Sequence, residues 1–172
     1  MNAAASILVG VTSRSVHIKV EGKGSFQISP ALKEFAKRML ERGFRSFVVD
    51  LNSCSVMDST FMGTLAGIAL RLREFGSNGG LVVRNANQRN ADLLENLGLN
   101  NLFEIESKVP SAGSEGNLEA APLEPADSLD RSEQAACMIE AHEALVDADP
   151  ENLARFKDVL EYLKQDLRTG SK

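Results

Sequence analysis

Phe47-Val48-Val49-Asp50-Leu51-Asn52-Ser53-Cys54-Ser55-Val56-Met57-Asp58-Ser59-Thr60-Phe61-Met62-Gly63-Thr64-Leu65 opens as a short apolar run rich in β-branched side chains, the pattern of a buried strand. It closes as an apolar run of helical length, broken by Gly63 and then Gly67. At the join, Met57-Asp58-Ser59-Thr60 offers Asp and Ser, whose oxygens cap a helix by accepting its unpaired N–H groups. A hydroxyl at such a join stands at the positive end of the helix dipole, where a phosphate is stabilised.

Downstream, the helix is predicted over Ser59 to Phe75, closed by Gly76. It is apolar all round, which marks it as buried. Gly63 and Gly67 share one face and cost about 1 kcal/mol each relative to Ala. Close packing against a sheet is the first explanation for them, and a partner surface the second. Beyond lie a strand at Leu81-Val82-Val83, a helix capped by Asn87 with Leu93, Leu94 and Leu97 inward, and a last short strand at Leu102–Ile105.

Upstream, Ile7–Val11 and Ser15–Val20 read as a hairpin of strands around Thr12-Ser13-Arg14. In the second strand Val16, Ile18 and Val20 share one face and His17 and Lys19 the other. Glu21-Gly22-Lys23-Gly24-Ser25-Phe26 follows as a Gly-rich loop without the spacing of a phosphate-binding P-loop. Ser29 as N-cap and Pro30 at the first position open a helix, whose inward face is Leu32, Phe35, Ala36, Met39 and Leu40. Ser46–Leu51 carries apolar residues on both faces and reads as a central, covered strand. The order β-β-α-β-α-β-α-β specifies an α/β fold, a mostly parallel sheet of about four to five strands covered by helices.

The Asp58-Ser59-Thr60 turn between an apolar strand and an apolar helix resembles the signature of the STAS domain, the family of bacterial anti-sigma-factor antagonists. That signature is Asp-Ser-Ser/Thr-Gly leading into an apolar helix. The likeness covers roughly residues 7–106 and departs at Phe61, where the family usually has Gly. It implies that Ser59 is reversibly phosphorylated by a partner that is both serine kinase and anti-sigma factor, with a phosphatase to reverse the step. The family loop that lies beside the Ser corresponds to Lys23, Ser25 and Phe26. Here its second acidic residue is missing and Lys23 stands in it. With Asp58, Thr60, Phe61 and Met62, those residues form the expected partner surface. The implied function is a phosphorylation-controlled binding module in partner switching. The alternative within the family is a STAS subunit of a lipid-transport ABC system that works without phosphorylation.

An enzyme with Ser59 as nucleophile needs a general base within reach. His17 sits in a strand and His142 far away in the tail, so no His-based site, metal site or cofactor is expected. Two cysteines, Cys54 and Cys137, and the absence of a basic, apolar leader point to a reduced, cytoplasmic protein. No apolar run approaches the ~18 residues of a membrane span.

The 172 residues carry a net charge of −5, unevenly. Up to Lys108 there are 13 basic against 10 acidic residues, and beyond it 6 against 14. The acidic tail argues against direct nucleic-acid binding. The division expected is a STAS-like domain over 1–107, a flexible Pro/Gly/Ser-rich linker over 108–131, and a helical hairpin over 132–172. Its first helix, Ser132–Val146, aligns Met138, Ile139, His142, Leu145 and Val146; its second, opening with Asp149 as N-cap, aligns Leu153, Phe156, Leu160, Leu163 and Leu167. Two such helices cannot bury both stripes alone. A homodimer through the hairpin is placed ahead of docking on the chain's own domain.

Overall fold

Six strands form one mixed sheet in a computed structural model that describes residues 6–76, 80–107, 121–123 and 129–170. In chain order they are β1 (Ser6–Val11), β2 (Val16–Gly24), β3 (Ser46–Met57), β4 (Gly80–Ala86), β5 (Glu104–Ser107) and β6 (Ala121–Pro122). The helices are α1 (Ser29–Glu41), α2 (Ser59–Glu74), α3 (Gln88–Asn96), α4 (Arg131–Ala148) and α5 (Asn152–Gly170). Across the sheet the order is β5-β4-β3-β2-β1-β6. β2 to β5 run parallel, and β1 is antiparallel to both β2 and β6.

From β2 to β5 the strands advance in one direction, so right-handed crossovers place α1, α2 and α3 on one face. Phe47, Val49 and Leu51 of β3 are buried against that layer together with Val16, Ile18 and Val20 of β2. Val48 and Asp50 on the other face are only half-buried. The expectation of a strand covered on both sides therefore holds for position, since β3 is central, but not for cover. Both strands run on past their apolar runs: Glu21–Gly24 pairs with Ser53–Met57, with register shifts after Lys19 and Gly22. The segment Glu21–Gly24, expected as loop, is thus strand; with two glycines and no large apolar side chain it lacks the alternation that marks a half-buried strand.

α1 begins after Ile28, not after a Ser29 cap. Ser29 is buried, and its hydroxyl donates to the carbonyl of Ser25 at 2.9 Å. α3 is capped as expected, with Asn87 Oδ1 accepting the Asn90 amide at 2.7 Å. Gly98 then turns the chain at φ +75°. Of the segment 108–131, Ala121–Pro122 pairs with β1 as a sixth strand, and the Leu123 amide donates to the Ile7 carbonyl at 2.8 Å. The remainder, 108–120 and 124–128, lies outside the described residues.

The hairpin packs on its own chain, α4 against α2. Ala144 and Leu145 join the main core, and Leu145 is fully buried. Ile139, Leu160 and Leu163 form a second small core with Met138, Val146, Phe156 and Leu167. Leu153, expected in that stripe, is half exposed. Asp149 ends α4, and its side chain accepts the Glu151 amide at 3.0 Å in the turn that leads into α5.

Candidate functional site

The β3–α2 turn is held by Asp58, whose side chain accepts from Phe61 N at 2.8 Å and so caps α2. Its second oxygen accepts the Phe26 amide at 2.8 Å, and its own amide donates to the Gly24 carbonyl at 2.8 Å. The loop after β2 and the start of α2 therefore form one surface. Phe26 is 40% exposed there, and Lys23 is exposed on β2 opposite Val56.

The expected partner-surface residues separate into two groups. Asp58, Ser59, Lys23 and Phe26 reach the surface in whole or part. Ser25, Thr60, Phe61 and Met62 are buried, so they support the surface and cannot present side chains to a partner. Phe61 is fully buried beneath Gly24, where a Cβ would stand 2.9 Å from its ring. An aromatic side chain in the first turn of α2 thus fits because the facing strand has no side chain at that point.

Ser59 is the first residue of α2, yet its hydroxyl takes no part in capping. It lies 2.9 Å from Nε2 of His142 on α4. Nδ1 of that ring lies 2.7 Å from the Met138 carbonyl. A carbonyl only accepts, so Nδ1 carries the proton and, in the neutral ring, Nε2 accepts from Ser59. The ring is 4% exposed and meets Phe156 edge-on at 5.1 Å. His142, expected far from Ser59, is its direct partner. Sequence spacing could not pair two groups 83 positions apart.

A serine hydroxyl on an imidazole is also the first half of a nucleophile–base pair. Here the ring is oriented by a backbone carbonyl, and both Asp58 oxygens are engaged elsewhere. A cavity of about 500 Å³ between α1, α2 and α4 is lined by residues such as Lys33, Gly63 and Cys137, but by neither Ser59 nor His142. The pair therefore has no substrate space in this cavity. Among the described residues no cluster of His, Cys, Asp and Glu could hold a metal, and no helix is long and apolar enough to cross a membrane.

Residues 7–105 match a family model described as "Mlab, STAS domain". No curated protein matches the chain significantly. Among solved structures, an anti-sigma factor antagonist from Mycobacterium paratuberculosis superposes with a TM-score of 0.54 at 19% identity, covering 62% of this chain and 90% of that one. The anti-sigma factor antagonist SpoIIAA in its unphosphorylated form superposes with a TM-score of 0.50 at 18% identity, covering 58% and 86%. At those identities the likeness is one of fold. The family match ends before α4.

Proposed function

The chain belongs to the STAS domain family, and on that premise we propose that it is a cytoplasmic binding module of the anti-sigma-factor-antagonist kind, switched by phosphorylation of Ser59. In this reading the unmodified face around Ser59, with Asp58, Phe26 and Lys23 at its rim, binds an anti-sigma factor that is also a serine kinase. Phosphorylation adds roughly −1.5 to −2 charge and three acceptor oxygens. The helix dipole tolerates that charge at the first turn of α2, so the fold survives, while a partner surface shaped for a hydroxyl is repelled. A phosphatase resets the module.

One observation carries the reading. Asp58 does the capping, so the Ser59 hydroxyl is not used by its own helix and bonds a separate element instead. Binding is favoured over catalysis because His142 is closed off from solvent. The test is phosphate mapping by mass spectrometry on the natively expressed chain. Phosphate is expected on Ser59 and absent from Ser59→Ala. Phosphate on Thr60 instead, or on no residue of the segment in any growth state, overturns the switch.

A second reading, a STAS subunit of a lipid-transport ABC system, is favoured by Phe61 at the usual Gly position and by the missing acidic residue beside Lys23 at the end of β2. Co-purification separates the two. An ABC ATPase retained by both wild type and Ser59→Asp supports the second reading, and a soluble kinase lost from Ser59→Asp supports the first.

A further inference from the structure

We propose that the α4–α5 hairpin is a built-in cover of the Ser59 face, and that partner binding or modification at Ser59 requires its release. The inference rests on the reading that this face is the working surface, and it adds the device that controls access to it.

The cover is fitted at four points. The Ala141 backbone of α4 lies directly on Gly63: a Cβ there would stand 2.6 Å from the Ala141 carbonyl carbon and closer still to its oxygen. Only glycine permits that approach. His142 occupies the Ser59 hydroxyl at 2.9 Å. The Asn152 side-chain amide, buried at the start of α5, donates to the carbonyls of Leu97 at 2.9 Å and Leu145 at 2.8 Å, so the hairpin turn is tied to the end of α3. Glu140 pairs with Lys33 of α1.

These contacts suit a reversible closure. The hairpin keeps a small core of its own, Ile139, Leu160 and Leu163, which remains buried within it as it lifts. The polar and charged groups parted on opening, Ser59 from His142, Asn152 from Leu97 and Lys33 from Glu140, are satisfied by water once they are free. Leu145 and Ala144 leave the main core on opening, together with Ala148 and Phe156 packed against it, and their burial supplies the closing force. The charge imbalance between the two parts of the chain favours the closed state and weakens with salt.

The experiment uses the full chain carrying Ser59→Cys, alone and combined with Gly63→Ala or with Asn152→Ala. Each protein is treated with iodoacetamide, and alkylation is followed peptide by peptide. Gly63→Ala drives a methyl group into the α4 backbone while improving the helix propensity of α2. Asn152→Ala acts from the hairpin side and leaves the sheet untouched. Cys54, 2% exposed in the core, reports whether the domain remains folded. The expected result is that the introduced thiol reacts about tenfold faster in both double variants, as local opening of the cover requires, while Cys54 stays protected. Equal rates at the introduced thiol in all three proteins overturn the proposal. Should Gly63→Ala expose Cys54 as well, the Asn152→Ala chain decides alone. No kinase or nucleotide enters the assay, so its outcome is independent of whether Ser59 is phosphorylated.

Discussion

Asp58 and Phe26 stand 32 positions apart, and the Phe26 amide donates to one Asp58 oxygen at 2.8 Å while the Phe61 amide donates to the other at the same distance. One carboxylate thus caps α2 and pins the loop that follows β2. Asp58→Ala removes both bonds. A lost cap costs about 1 kcal/mol, and a lost amide bond to a charged acceptor at least as much again. Urea unfolding should show a loss of about 2 kcal/mol for Asp58→Ala. Asp58→Asn, which keeps one acceptor, should lose about half of that. A loss under about 0.5 kcal/mol for the alanine variant, within the range of an ordinary surface substitution, would show that the stitch contributes nothing.

Gly67 lies one turn beyond Gly63 but has room that Gly63 lacks. A Cβ at Gly67 would stand 3.8 Å from the Ala144 Cβ, an ordinary contact. Gly67→Ala should therefore stabilise the chain by up to about 1 kcal/mol through helix propensity, seen as a higher melting temperature. A lower one would mean that α4 sits closer to α2 than this contact allows.

How much of this was legible in the sequence follows from where the apolar pattern is local. The Asp58 and Asn87 caps, the buried faces of β2 and α1 and the order of elements all rest on neighbouring residues, and the structure has them. Ser29 misled because a Ser-Pro pair looks the same whether the hydroxyl caps a helix or, as here, donates to Ser25. β6 is two residues long and too short to carry a period. The hairpin's place on α2 was not legible, although two marks of it were. Gly63 signalled a close approach without saying by what, and the opposed charges of the two parts permitted docking without requiring it. The stripe of α4 marked His142 as facing inward, but its pairing with Ser59 had no mark, because only the tertiary fold brings the two together.

The two thiols give the chain a predictable alkaline limit. Burial raises the Cys54 thiol above its ordinary 9.0, with the hydrogen-bonding backbone of Gly24 and Val56 offsetting part of the shift. Burial likewise raises Cys137, which Lys33 lowers and Glu140 raises further. A thiol whose proton is held more tightly in the folded state contributes stability that is complete below the unfolded value. That contribution is lost as pH rises through the folded one. Unfolding in urea should therefore show a drop in stability as pH rises past the ordinary 9.0 that is smaller in Cys54→Ala than in wild type. Equal drops would mean that Cys54 is not protected from ionisation by the fold.

Phe61 and Gly24 form a matched pair across the β2–α2 boundary, and a double-mutant cycle tests the match. A Cβ on Gly24 would stand 2.9 Å from Phe61 Cδ1 and 3.0 Å from Met57 Cγ, with Phe61 fully buried. Neither ring nor strand has space to yield, so Gly24→Ala should cost about 1–3 kcal/mol by overpacking. Phe61→Leu, which removes ring atoms at the same point, should cost a comparable amount through the space it leaves. Together the two changes compensate, because the new methyl group fills part of what the ring vacated. The double variant should be more stable than the sum of the single losses predicts, by at least 0.5 kcal/mol, the lower limit for residues in contact. Strict additivity would show that the ring and the glycine are not coupled. The large side chain at the position where the family usually has Gly would then be held by Met57 and the rest of α2, not by the empty place on β2.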